Sequence, residues 1–379
     1  MGTADEVAVA SGDAGTGTGA TAGAGTAPGA RTGAGAGGGD GAQAPRRRGP
    51  ALLAAGLAVG LCVLVLLVLA GVAVGSRSVP FSTVLDALTA FDGSTDHIVV
   101  RDVRVPRTLL GVGVGAALGL AGALMQALTR NPLADPGLLG VNNGAALGVA
   151  VALGLLGISD PAAYVWFAFA GAALAAVMVY ALGSAGRSGA SPVRLALAGV
   201  ALGMVFQAAS SAILRADSAT FDRMRFWLTG SLAGASAEVA VRLAPFMLAG
   251  LALGLLLAWP LNALALGDEA GRSLGVDIAR TRGLTALAIT LLCGSATAAV
   301  GPLWFVGLVV PHAVRAACGP DQRWLLPYTA VFTPVVLLGA DILGRVVARP
   351  GEIQVGIMWA LVGAPVFILL ARRRRLAAL

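Results

Sequence analysis

From residue 50 onward the chain alternates between long apolar segments and short polar connections. The apolar segments fall at about 50–75, 106–128, 137–157, 161–183, 193–214, 239–260, 283–303, 304–318, 325–346 and 353–371. At about 1.5 Å of rise per helical residue, twenty such positions cross a hydrocarbon layer roughly 30 Å thick. The segment at 304–318 is short and broken by Pro311, the pattern of a half-span buried among other helices. The pattern therefore predicts an all-α integral membrane protein with ten transmembrane helices. Residues 1 to about 44 carry Gly, Ala and Thr with a few acids and no apolar run. They cannot bury enough surface to offset the entropy of ordering, so residues 1–49 are expected to be a disordered tail.

Composition excludes a soluble fold. Hydrophobic residues make up 57% of the 379 positions, with 54 glycines besides, and charged residues make up 12%, about half the usual share. All 26 basic residues are Arg. The absence of Lys removes a G-x-x-x-x-G-K-[ST] phosphate loop and lysine Schiff-base chemistry from this chain. Cys62, Cys293 and Cys318 share no close spacing, and His97 and His312 belong to no ligand cluster, so neither a metal site nor a catalytic residue is expected. The net charge of +7 is spread along the flanks of apolar segments rather than gathered on one basic domain. That distribution speaks for topology and against nucleic acid.

Arg46, Arg47 and Arg48 precede the first apolar segment, whose length exceeds the 7–15 residues or so of a signal-peptide core. A retained first span with a cytoplasmic N-terminus follows. Alternate connections then carry Arg130, Arg187 and Arg194, next Arg272, Arg280 and Arg282, next Arg315 and Arg323, and finally the four arginines at 372–375. With Arg31 of the tail, this places 16 of the 26 arginines inside and both termini in the cytoplasm, as the positive-inside rule requires. Gly-x-x-x-Gly pairs such as Gly115/Gly119 and Gly144/Gly148 permit close helix packing, although about seven such pairs are expected by chance at this glycine content. Inside the spans charges are scarce, which counts against an ion-driven carrier with midplane acids. Asp341 and Arg345 stand one turn apart, available either as a structural pair or for docking.

Three connections are more distinctive. Arg101-Asp102-Val103-Arg104-Val105-Pro106-Arg107 opens the second span, and Arg130-Asn131-Pro132-Leu133-Ala134-Asp135-Pro136-Gly137 follows it. There the prolines stop the helix while Asn131 and Asp135 satisfy freed backbone groups. A cytoplasmic loop at about 261–282 contains Gly267-Asp268-Glu269-Ala270-Gly271-Arg272-Ser273-Leu274-Gly275. Its acids would open a short helix at the positive dipole end, and Gly275 would close it. Such a helix suits a partner's groove, or is simply a solvated connection. The third segment, Gly307-Leu308-Val309-Val310-Pro311-His312, holds a histidine that reads more readily as a satisfied helix-end residue than as a ligand.

At these residues the sequence resembles the permease subunits of ABC importers for iron-siderophores, haem and vitamin B12. The R-V-P-R-T, N-P-L-A-D-P-G-L-L-G, L-G-x-x-x-x-x-x-L-G and G-L-V-V-P-H-x-x-R motifs and a closing V-G-I-x-x-A-L-x-G-A-P-x-F stretch occur in order over about residues 50–375, leaving 376–379 as a terminal end. The resemblance implies a pair of ten-span permeases, alike or different, in a bacterial plasma membrane. Two cytoplasmic ATPase subunits that bind the ATP, and an extracytoplasmic solute-binding protein, complete the importer. It implies that Gly267, Asp268, Glu269, Arg272, Leu274 and Gly275 form the ATPase-coupling loop, that Arg104, Arg107 and Arg345 meet acids of the binding protein, and that Leu197 to Ser211 lines the path. Pro350-Gly351-Glu352 departs from the family pattern. The implied cargo is a ferric siderophore ahead of haem or cobalamin; an ion-driven carrier and a membrane enzyme are the rival readings.

Overall fold

A computed structural model describes residues 49–185, 192–234 and 236–372. Nearly all of the expected tail lies outside these residues, as do Arg46, Arg47, Arg48, Arg187 and the arginines beyond 372. Every regular element among the described residues is helical. In chain order these are α1 (Pro50–Ala73), α2 (Phe81–Thr89), α3 (Thr95–Ile98), α4 (Val105–Thr129), α5 (Val141–Gly154), α6 (Pro161–Ser184), α7 (Pro192–Ala216) and α8 (Ser218–Leu228). There follow α9 (Ala237–Leu256), α10 (Ala258–Ala265), α11 (Asp268–Ser273), α12 (Ile278–Val300), α13 (Val306–Cys318), α14 (Gln322–Val347) and α15 (Val355–Arg372).

The helices begin where short polar side chains can take the free N–H groups of a first turn. Asp160 accepts from Ala162, Asp217 from Thr220, Ser236 from Val239, Asp277 from Arg280 and Asp321 from Arg323. Seven helical rods are long and apolar enough to cross a membrane: α1, the continuous rod Thr95–Thr129, α6, α7, α9, α12 and α14. Three apolar helices are shorter, and α13, with 13 residues, reaches only about 20 Å.

Several boundaries differ from the sequence expectation. The second span was expected to begin at 106, yet its helix starts at Thr95 and passes through a π-helical stretch, Val99–Arg104, before α4. Its arginines look like loop residues until their acceptors are seen. The expected span at 239–260 breaks at Leu257, because Pro260 has no N–H for the carbonyl of Leu256. The expected half-span at 304–318 starts at Val306, after a non-helical link at 301–305. The short helices α2 and α8 were not anticipated.

α4 is the axis of the bundle: 83% of the most apolar stretch of its rod is buried, against 11% of α1. It packs on α9, α12, α13 and α14, while α5 packs on α6 and α7. Glycines make these approaches possible. A methyl on Gly115 would lie 2.6 Å from the Cα of Pro334, and one on Gly122 would collide with the carbonyl of Gly307. Gly144 and Gly148 meet the backbone of α6 at Gly171 and Phe167 in the same way. These Gly-x-x-x-Gly pairs are packing surfaces, a role that their frequency alone could not reveal.

Candidate functional site

Polar side chains gather at the two ends of α4. At its N-terminal end they meet the C-terminus of α1, whose last carbonyls lack helical partners and carry the negative end of the helix dipole. Arg104 donates through Nη1 to the carbonyls of Val72 (3.2 Å) and Ala73 (2.7 Å), and through Nη2 to that of Arg77. From α14, Arg345 donates to the carbonyls of Gly71 (3.0 Å) and Val74 (2.9 Å). Arg349 adds a bond to the carbonyl of Gly75 at 2.9 Å. Three guanidinium groups thus close the end of α1.

Arg107 binds Asp341 in a fork, with Nη2 at 2.7 Å from Oδ1 and Nε at 3.2 Å from both oxygens, while its Nη1 donates to Glu352 at 2.8 Å. Arg345 pairs with the other oxygen of Asp341 at 3.0 Å. Asp341 is wholly buried, and Arg104, Arg107 and Arg345 are 4%, 5% and 2% exposed. Side chains that dock a partner must reach its surface, and these three expected docking residues point inward to acceptors of their own chain. Asp341 and Arg345 form the structural pair that their spacing allowed, and Glu352, part of the unusual Pro350-Gly351-Glu352 run, completes the shell around Arg107. Exposed cations at this end include Arg77, Arg101 and Arg349. Arg101 lies over the ring of Phe91 at 5.0 Å, and Arg77 pairs with Asp96 at 2.9 Å.

At the other end α4 stops on Arg130, a non-glycine residue in the left-handed region (φ 49°, ψ 36°). The expected turn follows. Asn131 Oδ1 accepts from the N–H of Leu133 at 3.0 Å, and Asp135 Oδ1 accepts from that of Gly137 at 2.8 Å. Pro132 stands between them, and Pro136 opens a 3-10 turn that ends on Gly140. Burial pushes the Asp135 carboxyl up to about 6, although the Gly137 N–H pulls the other way. Asp135 has no cation within ion-pair distance among the described residues, unlike Asp341.

Residues 267–275 form the short helix that their sequence suggested. Gly267 (φ 110°) precedes α11, and Gly275 (φ 80°) follows it. The N–H of Gly275 bonds the carbonyl of Arg272, and that of Val276 bonds the carbonyl of Gly271, the paired bonds of a Schellman cap. Beneath it a small apolar cluster of Ala263, Leu264, Val276 and Ile278 stands apart from the main core. Glu269, Arg272 and Ser273 are exposed, and so are Leu266 (68%) and Leu274 (51%). The Asp268 carboxylate is shared: Arg130 donates to Oδ1 at 2.7 Å, and Arg282 bridges both oxygens at 3.1 and 3.0 Å. Burial alone would raise its pKa, but the two guanidinium groups outweigh that and hold it below the usual carboxylate value.

Pro311 lies buried inside α13 without ending it. His312 is half-buried, and its Nδ1 has no partner among the described residues. Along α7, Leu197, Val200 and Met204 are exposed in a row that continues to the amide of Gln207. The sequence reading assigned no role to Arg282, Asn262 or Arg349 in the polar contacts. Asn262 and Arg349 answer partners 59 and 274 positions away, and Arg282 answers one 14 positions back across the loop, none at a spacing that signals the contact.

A family model, the FecCD transport family, matches residues 63–373. The chain is 47% identical over 302 residues to the ferric enterobactin transport system permease protein FepD of Escherichia coli (strain K12), covering 79% of this chain and 90% of that one. It is 39% identical over 302 residues to the Fe(3+)-citrate import system permease protein YfmD of Bacillus subtilis (strain 168), covering 80% and 90%. Among solved structures, an inward-facing metal-chelate-type ABC transporter superposes with a TM-score of 0.72 at 28% identity, over 85% of this chain and 99% of that one. The motifs, the helical membrane architecture and these likenesses agree: the chain is a multi-pass membrane protein that belongs to the FecCD transport family.

Proposed function

We propose that this chain is the permease subunit of an ATP-driven, binding-protein-dependent importer of ferric siderophores. Two permease subunits, alike or different, form the path, two ATPase subunits attach at the cytoplasmic face, and a solute-binding protein delivers cargo from outside. The three shorter helices α5, α13 and α15 complete ten crossings with the seven longer rods, and both termini lie in the cytoplasm. ATP is bound by the partner subunits, because this lysine-free chain has no phosphate loop.

The observation that carries the reading is α11. A short helix capped in advance, with bare Leu266 and Leu274 beside Glu269 and Arg272 on an extramembrane loop, has the chemistry of a plug for a protein groove. The proposed outer face rests on the exposed guanidinium of Arg101, with Arg77 and Arg349 beside it, for attraction to acidic lobes. Arg104, Arg107 and Arg345 brace that face from within. The exposed amide of Gln207 supports a wet path along α7, since a polar group facing lipid there is costly. Asp341 lies inside α14, and its engagement by two arginines speaks against ion-driven transport through it. Cargo follows the relatives' named substrates, ferric enterobactin and ferric citrate.

The test is competition in cells that depend on this importer. Labelled ferric siderophore should enter, and excess unlabelled ferric siderophore should displace it while haem and cobalamin do not. Displacement by cobalamin alone would move the cargo assignment.

A further inference from the structure

The helix α11 is jointed at both ends. Gly267 and Gly275 have positive φ, and a methyl on either would meet nothing within 4 Å. Between these open joints α11 is only six residues long and rests on a four-residue apolar cluster. Glycine joints alone would let it swing without moving anything behind it. What fixes it is the Asp268 carboxylate at its first position. Arg130, the residue that caps the C-terminus of the α4 rod, donates from one Nη2 both to this carboxylate and to the carbonyl of Leu264, each at 2.7 Å. Arg282, one turn into α12, holds the same carboxylate from the other side. A second tie holds the preceding helix: the Asn262 side chain of α10 donates to Asp321 at 2.6 Å and accepts from the N–H of Gln322 at 2.9 Å, at the start of α14.

We infer that Asp268 is the positioning residue that converts displacement of α11 into movement of α4 and α12 together, with Asn262 tying the same loop to α14. The inference rests on the proposed contact between α11 and an ATPase, and it goes further by naming where the load enters the membrane bundle. α4 and α12 pack on each other along the core, so one carboxylate gripped by both keeps their loop ends in register. The contact is one third exposed, which leaves water able to replace either arginine as the angle changes. Arg130 is suited to this place because its backbone ends α4 while its side chain turns back to the loop.

The experiment uses the complete importer in vesicles, with the ratio of ferric siderophore imported to ATP hydrolysed as its readout, and with Ser273→Cys cross-linked to the ATPase to report contact. Asp268→Asn should lower that ratio at least fivefold while the cross-link persists, and Asp268→Glu should restore it to within twofold. A merely structural role would change the amount of complex and not the ratio. An unchanged ratio with the cross-link present overturns the inference and leaves the proposed ATPase contact standing. Failure of the cross-link in the otherwise unaltered importer overturns that contact and the inference with it. Should Asp268→Asn not accumulate, the double variant Arg130→Gln with Arg282→Gln probes the same contact. An equal loss supports the inference and an unchanged ratio overturns it.

Discussion

Arginines grip carboxylates at both ends of α4, but in opposite settings. At the N-terminal end Asp341 is wholly buried between Arg107 and Arg345, and the guanidinium groups left over are spent on the carbonyls of α1. At the C-terminal end Asp268 is one third exposed between Arg130 and Arg282 and sits on a helix with glycine joints. Removing one member of a buried ionic group strands the others and costs about 3–5 kcal/mol, whereas an exposed pair is worth about 0.2–1 kcal/mol. The same chemistry therefore serves as a fixed hub at one end and as a latch that can exchange with water at the other. Burial, rather than residue type, separates the two.

The largest effect that could break this comparison is at the hub. Asp341→Asn leaves Arg107 and Arg345 buried without their carboxylate and should lower the unfolding free energy of the purified permease by about 3–5 kcal/mol. A loss below 1 kcal/mol, read from thermal unfolding in lipid nanodiscs, would mean that the hub is not a hub.

Asp135 sharpens the comparison from the other direction, as a half-buried carboxyl with no arginine in ion-pair distance among the described residues. Its pKa is raised from 3.8 to about 6, so the folded chain binds a proton more tightly than the unfolded one. Stability should then fall as pH rises from about 4 to 6 and stay level above, a loss of about 3 kcal/mol for this shift. Asp135→Asn keeps the acceptor for Gly137 and removes the charge. It should raise the melting temperature at pH 7.5, with the gain shrinking towards zero near pH 4, and a destabilised variant at pH 7.5 would refute this account of the turn.

A smaller effect on stability is expected at the latch. Asp268→Asn should cost about 1 kcal/mol or less, measured by the same unfolding, even as it uncouples transport. A cost equal to that of Asp341→Asn would erase the distinction. Least of all should stability respond to Arg101→Glu, which touches only the exposed face. That variant should weaken solute-binding-protein docking about fivefold at low salt and less at high salt, as steering by charge requires. Docking that is the same at both salt concentrations would remove Arg101 from the interface.

Much of the fold could be read from the chain before its structure. The apolar segments that match the seven longer rods and the three shorter helices are visible because membrane crossing demands long uninterrupted runs. The turn at 131–137 and the helix at 268–273 are visible because proline, asparagine and glycine act locally. The short helices α2 and α8 escaped notice because neither is long enough to stand out against its neighbours. The rod's start at Thr95 is not legible because Arg101, Asp102 and Arg104 resemble a loop. The roles of Arg104 and Arg107 were hidden for a different reason: their acceptors are the terminal carbonyls of α1 and an aspartate 234 positions away. An arginine that suits a partner's carboxylate suits a buried one equally well, and residue type does not choose between them. Asp268 and Arg130 stand 138 positions apart, and only the packing of α4 on α12 brings them together.

The central claim is that this chain moves cargo on energy delivered by another subunit. It is tested most directly in vesicles that carry the permease, with and without its ATPase, under imposed or collapsed proton and sodium gradients. Uptake of ferric siderophore that requires both ATP and the ATPase, and is indifferent to the gradients, is the predicted result. Uptake that continues without the ATPase and stops when the gradients collapse would contradict it.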